Sequence, residues 1–286
     1  MNTPISAPGR RSAGGGGVTS AVVHPIERLR YVARAGGADP SDLVRESVAA
    51  LASFGADAGG LVTACRRLVA RHPAAGPVWW LAARMLTGTD ARAAGREACD
   101  ELEGDTTARL LVDRLPDGAS VSVVGWPEQL VYVLPRRGDV EVLVIDALGE
   151  GSGLVRRLQS ADVDAVDVPE SGLGAAVADS NVLVLDASAA GPGGLVAVAG
   201  SRAAAAVARH AGVPVWAAVG VGRALPAGLW RAIAGRVEAC PVGTSPVDVV
   251  PLDLVDVVVG PDGATDAEIL TRRADCPVAP ELLKEI

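Results

Sequence analysis

The hydrophobic rhythm of the chain changes near Leu115. Before that point apolar residues recur at helical spacing. In DPSDLVRESVAALASFG, Leu43, Val44, Val48, Leu51 and Ala52 fall on one stripe, which predicts an amphipathic helix. Asp39 or Ser41 beside Pro40 suits its start and Gly55 its end. The same spacing predicts helices over ERLRYVARAG, GGLVTACRRLVARH and GPVWWLAARMLTG, and a long last one through TDARAAGREACDELEGDTTARLLVDRL, opened by Thr89 or Asp90. The adjacent Trp79 and Trp80 point to different sides of their helix. One is expected in the core and the other at a contact with the second half or a partner subunit.

After Pro116 short β-rich runs alternate with helical ones. SVSVVG, EVLVID, VDAVDV, NVLVLD, PVWAAVG and LVDVVVG read as strands; PEQLVYVL, GLVRRLQSA, GLGAAVAD, SRAAAAVARHAG and PAGLWRAIA read as helices. Strands that are apolar on both faces, each followed by a helix, indicate a parallel sheet covered on both sides. The fold class is therefore α/β: a disordered tail over 1–20, a helical domain over 21–116, and a Rossmann-like domain with a mostly parallel sheet over 117–286.

Ligands of such sheets bind beyond the carboxyl ends of the strands. Gly125-Trp126, Asp146, Asp186 and Gly220 occupy those positions. The segment after Asp186, ASAAGPGGLVAVAGSR, reads as a polar, glycine-rich turn leading into a helix whose first N–H groups lack intrahelical partners and attract anions. Gly193, Gly194, Gly200, Ser201 and Arg202 are the candidate ligand-binding residues. Ser201 would cap the helix, Gly200 would let a ligand approach the backbone, and Arg202 would add a full charge. The spacing matches neither a Walker loop nor G-x-G-x-x-G, which argues against nucleoside triphosphates and dinucleotides. Asp186, Asp146 and Glu128 are the candidate acid/base groups.

Composition narrows the choice. Apolar residues make up 49% of 286 residues, enough for a sizeable core, while aromatic residues contribute 3%, so Ala, Val, Leu and Gly must do the packing. A formal charge of −8 argues against non-specific attraction to nucleic acid or to an anionic membrane surface. The apolar runs are broken before membrane-spanning length, and the amino-terminal segment lacks the apolar stretch of a secretory signal, so a cytoplasmic protein is expected. Cys65, Cys99, Cys240 and Cys276 have no C-x-x-C spacing, and His24, His72 and His210 are far apart. Neither a metal site nor a cofactor is expected.

The order of elements and the wording of three segments resemble a known family: the α, β and δ subunits of translation initiation factor 2B, with the related isomerases acting on methylthioribose 1-phosphate and ribose 1,5-bisphosphate. The segments are NVLVLDASAAGPGGLVAVAGSRAAAAVARHAGVPVWAAVG, EVLVIDALGEGSGLVRRLQSADVDAVDV and VPLDLVDVVVGPDG. The resemblance implies a helical domain followed by a Rossmann-like one, and a homodimer. It also implies what is missing. The isomerases carry a Cys after the first strand, where this chain has Trp126 or a neighbour. Ala187 stands at their Asp, with Asp186 one residue early, and Ala197 and Val198 stand at an Asn-Lys pair. Leu148 lies near the place of an Arg, and Asp146 near that of a Glu. The expectation is a non-catalytic protein of this kind that binds a small phosphorylated metabolite or acts in assembly or regulation, with a divergent sugar-phosphate isomerase as the alternative.

Overall fold

The computed structural model describes residues 40–54, 57–241 and 243–284. The expected tail over 1–20, the ERLRYVARAG helix, His24, Asp39 and Gly55 lie outside them. Four helices come first: α1 (Pro40–Leu51), α2 (Ala58–Arg71), α3 (Gly76–Thr87) and α4 (Ala91–Glu103). Asp57 caps α2 by accepting the Gly60 N–H, and Asp90 caps α4 through the N–H groups of Arg92 and Ala93. Helix α3 is the centre of this layer. Its residues from Gly76 to Ala83 are all buried, because α1, α2 and α4 pack around it on one side and the α/β layer covers the other.

Trp79 and Trp80 are both fully buried within the chain, and both reach the second half, where contact was expected of one. Trp79 donates its indole N–H to the Pro73 carbonyl at 3.1 Å and lies under the Arg236 guanidinium. Trp80 donates to the Asp275 carbonyl at 3.1 Å and packs under Gly222, with Arg84 over its ring.

The single long helix expected through Leu115 is two. It breaks at Gly104-Asp105-Thr106, where Asp105 accepts the Thr107 N–H at 2.9 Å and starts α5 (Thr107–Arg114). A side chain that caps locally competes with the helix ladder, and here it turns the chain from one layer into the next. Thr106 also donates to the Pro261 carbonyl, so α5 packs on the sheet rather than on the helical layer.

All six expected strands form: β1 (Ser120–Val124), β2 (Glu141–Ile145), β3 (Asp164–Val168), β4 (Val182–Asp186), β7 (Val215–Ala218) and β9 (Val257–Gly260). With β10 (Gly263–Asp266) they make a seven-stranded sheet in the order β10-β9-β7-β4-β1-β2-β3, parallel except for β10. Helices α6 (Gly151–Gln159), α7 (Leu173–Asp179) and α8 (Ser201–Ala211) connect the strands. Period-2 geometry explains why the strands read as apolar throughout: Val182 and Val184 face α5 and α6, whereas Leu183 and Leu185 face α7 and α8. The run PEQLVYVL is not an α-helix but a series of turns closing in a short 3₁₀ segment at Leu134–Arg136, which includes Pro135.

The expected glycine-rich turn after Asp186 is mostly strand. β5 (Ala189–Gly191) and β6 (Gly194–Val198) form a hairpin, and β6 also pairs antiparallel with β8 (Val247–Val250), giving a second, three-stranded sheet. Helix α9 (Ala227–Glu238) packs on it. One hydrophobic cluster joins α1–α4 to α9, to Ala189 and Val196 of the small sheet, and to Cys276, Ala279 and Leu282.

Candidate functional site

From β1 the chain winds outward through β2 and β3, then returns by α7 to place β4 on the other side of β1. The reversal between β1 and β4 makes a crevice at their carboxyl ends, the place where open α/β sheets hold ligands. A cavity of about 490 Å³ lies there. Val124 and Asp186 border it from the two strands, Trp126 and Glu128 from the loop after β1, and Leu148 and Glu150 from the loop after β2. The helical layer and α9 close the far side with Arg71, His72, Arg236 and Cys240, and Val198 and Val247 supply the wall of the small sheet.

Asp186 forms the floor and is held from several directions. Its Oδ2 accepts the Gln129 backbone N–H at 3.0 Å, its Oδ1 accepts the Gln129 side-chain amide, and Arg223 Nη1 lies 3.7 Å from Oδ1. Arg223, itself buried, also donates to the Ala187 carbonyl at 2.8 Å. Gln129 and Arg223 thus hold the carboxylate in a fixed position. Behind it, Gly220 allows close approach. A Cβ there would sit 2.3 Å from both Asp105 Oδ2 and Gln129 Oε1, so a side chain would have to displace these two polar groups.

The remaining sequence candidates separate. Glu128 borders the cavity with Asp186. Asp146 does not: its Oδ1 accepts the N–H groups of Gly149 and Gly151 at 2.8 and 3.2 Å and shapes the turn into α6. Gly193 and Gly194 lie at the hairpin turn, the opposite end of β6 from Gly200. Their identity answers packing, since a Cβ on Gly193 would meet Trp230 Nε1 at 2.7 Å and one on Gly194 would meet the Val250 carbonyl at 2.3 Å.

At the start of α8, Gly200 adopts φ +92° as the N-cap residue, and Ser201 is the first helical residue, buried and not the side-chain cap. Asp248 of β8 takes that role: its Oδ2 accepts the Gly200 N–H at 2.8 Å and the Arg202 N–H at 3.3 Å. The Arg202 side chain is exposed.

Arg71, Arg223, Arg236, Gln129 and Cys240 were not singled out from the sequence. Arg71 and Asp186 are more than a hundred positions apart, and no spacing rule connects them. His72 also borders the cavity. Burial, with the nearby Arg71 charge, pulls its pKa below the usual imidazole value, and its Nε2 is buried without a hydrogen-bond partner. Among the described residues no group of three or more His, Cys, Asp or Glu could hold a metal ion, and no helix is long and apolar enough to cross a membrane. The buried thiols Cys65 and Cys276 are pushed up to about 12 by desolvation, which leaves them as packing groups.

No protein-family model matches the chain, and no curated protein matches it. Solved structures do. The chain is similar to translation initiation factor eIF-2B of Pyrococcus horikoshii OT3, with 15% identity, a TM-score of 0.68, and 85% of this chain and 96% of that one covered. It is also similar to a chain of the tetrameric eIF2B-beta2-delta2 complex of C. thermophilum, with 21% identity, a TM-score of 0.65, and 86% and 91% covered. A third is eIF2B delta of Chaetomium thermophilum, with 14% identity, a TM-score of 0.62, and 83% and 96% covered. The chain thus has the fold of eIF2B subunits over most of its length, as its sequence segments suggested.

Proposed function

We propose that the chain is a non-catalytic binding protein that holds a small phosphorylated sugar in the crevice between the helical layer and the sheet. The observation that carries this is the division of charge around the cavity. Arg71 and Arg236 come from one wall, Glu128 and Glu150 from the other, and the Asp186–Arg223 pair forms the floor. Guanidinium groups match phosphate oxygens, and carboxylates accept from sugar hydroxyls. The volume of about 490 Å³ is in the range of small-molecule sites. The non-catalytic part of this reading is supported by the engagement of two of the three candidate carboxylates: Asp186 by Gln129 and Arg223, and Asp146 by its own turn.

Calorimetry with ribose 5-phosphate, a nucleoside monophosphate and inorganic phosphate tests this. Binding of at least one phosphorylated ligand is expected, weakened at least about tenfold in Arg236→Gln, which corresponds to about 1.4 kcal/mol. Silence across the panel would remove the reading. Glu128 and Cys240 on the same cavity keep an isomerase as the second reading, and conversion of an aldose phosphate to the ketose would select it. A homodimer remains part of the proposal, supported by the tetrameric assembly named for one structural neighbour. A sedimentation mass near 28.9 kDa, that of one chain, would remove that part.

A further inference from the structure

Arg223 is the most deeply buried charged residue among the described ones, at 7% exposure, and it borders the cavity. Its backbone is held on both sides. The N–H donates to the Gly220 carbonyl at 3.2 Å, and the carbonyl accepts the Ala190 N–H of β5 at 2.7 Å. The guanidinium engages the protein through one nitrogen: Nη1 donates to the Ala187 carbonyl at 2.8 Å and stands 3.7 Å from Asp186 Oδ1. Nε and Nη2 have no partner among the described residues, yet neither is sealed from solvent. Those two nitrogens carry the parallel N–H groups of the guanidinium fork. The fork of a residue this buried opens on the cavity it borders. A donor withdrawn from bulk water and left unpaired is costly, so an open fork at the floor is a feature for a ligand.

Asp186 completes the floor. Its side chain is 12% exposed, and each oxygen accepts one donor from Gln129: Oδ1 the side-chain amide, Oδ2 the backbone N–H. A carboxylate oxygen has two lone-pair sites, so each keeps one for a ligand. The Asp186–Arg223 pair carries no net charge, and Val124, Val198 and Val247 border the same cavity. A phosphate dianion placed on such a pair would lose its hydration for little net attraction. Neighbouring hydroxyls suit the pair better, because a hydroxyl accepts from the fork and donates to the carboxylate at once. We propose that Arg223 is a specificity-determining residue for a vicinal diol: Nε–H and Nη2–H each donate to one of two adjacent hydroxyl oxygens, and one of these hydroxyls donates to Asp186. The sugar end of the ligand then lies on the floor, and its phosphate lies away from it. This rests on the binding reading given above and narrows its ligand class to sugar phosphates with adjacent free hydroxyls.

Calorimetry compares ribose 5-phosphate with 2-deoxyribose 5-phosphate, and adenosine monophosphate with its 2′-deoxy counterpart, in the wild type and in Arg223→Lys. Each pair shares its phosphate and differs by one hydroxyl of the diol. The wild type is expected to bind the diol member of at least one pair at least about tenfold more tightly than the deoxy member. Lysine keeps the positive charge beside Asp186 and removes the fork. In that variant the diol member is expected to weaken about tenfold and the deoxy member to stay within about twofold, which brings their ratio close to one. A residue that merely supports the floor would weaken both members alike and keep the ratio. Equal affinities within both pairs in the wild type overturn the role of Arg223 and leave the binding reading standing, and this comparison needs no variant to fold. A ratio unchanged in folded Arg223→Lys has the same meaning, as does a wild type that binds inorganic phosphate but neither pair. If no phosphorylated ligand binds the wild type, both readings fall together.

Discussion

His72 shows how one residue reports on its surroundings. It caps the C-terminal end of α2 and opens the turn to α3, borders the cavity, and has a buried Nε2 without a partner, next to the positive Arg71. Both burial and Arg71 disfavour the imidazolium, so its pKa is lower in the folded state than in the unfolded chain, where it is near 6.5. The folded state therefore binds the proton less readily than the unfolded state does. The contribution of neutral His72 to stability is present above pH 6.5 and is lost as pH falls below that value. Urea unfolding at pH 7.5 and 5.5 should show a larger drop in midpoint for the wild type than for His72→Asn. Equal drops would mean that the imidazole is not held neutral by the fold. The sequence shows His72 only as a histidine between Arg71 and Pro73 at a segment boundary, because burial, the larger cause of its shift, comes from packing.

At the scale of elements, the β5–β6 hairpin joins the layers. The Gly76 N–H at the start of α3 donates to the Ser188 carbonyl at 2.8 Å, and Gly191 lies against the Trp230 ring of α9. A Cβ on Gly191 would be 2.6 Å from Trp230 Cβ and Cγ, a contact that only displacement of α9 or of the hairpin can relieve. Gly191→Ala is expected to cost about 1–3 kcal/mol in chemical denaturation, the usual range for overpacking. A change within about 0.5 kcal/mol would show that the hairpin gives way easily. This element also marks the limit of sequence reading. AAGPGGLVAVAG has the composition of a loop, since Gly, Ala and Pro are poor strand formers. It becomes strand because β8, some fifty residues later, supplies hydrogen-bond partners. Six of the seven strands of the large sheet were legible because each is a short, mostly apolar run rich in Val, Leu, Ile or Ala, bounded by turn residues.

For the molecule as a whole, the decisive feature is that the helical layer does not have a core of its own. Leu43, Leu51, Trp79 and Trp80 share one cluster with Leu225, Leu229, Trp230 and Leu282 from the far end of the chain. Exposing that shared surface would uncover both parts at once, so unfolding should be a single cooperative transition. Tryptophan fluorescence, sensitive to Trp79 and Trp80, and far-ultraviolet circular dichroism are expected to give coincident denaturant midpoints. Separated midpoints would assign independent stability to the two layers.

The sequence by itself determined the helical first half, the six parallel strands, four of the five helices expected after Pro116 and the likeness to a known family. Each depends on periodicity or on short segments in which neighbouring residues decide the outcome. It also offered Asp186, Asp146 and Glu128 as candidate acid/base groups. Only the tertiary structure decided how those groups are used. It set Asp186 between Gln129 and Arg223, removed Asp146 to a turn, brought Arg71 and Arg236 to the crevice, and placed Asp248 at the start of α8. The physical reason is common to all four. A carboxylate or guanidinium takes its role from the donors and charges within a few ångströms, and here those come from parts of the chain that no local pattern brings together.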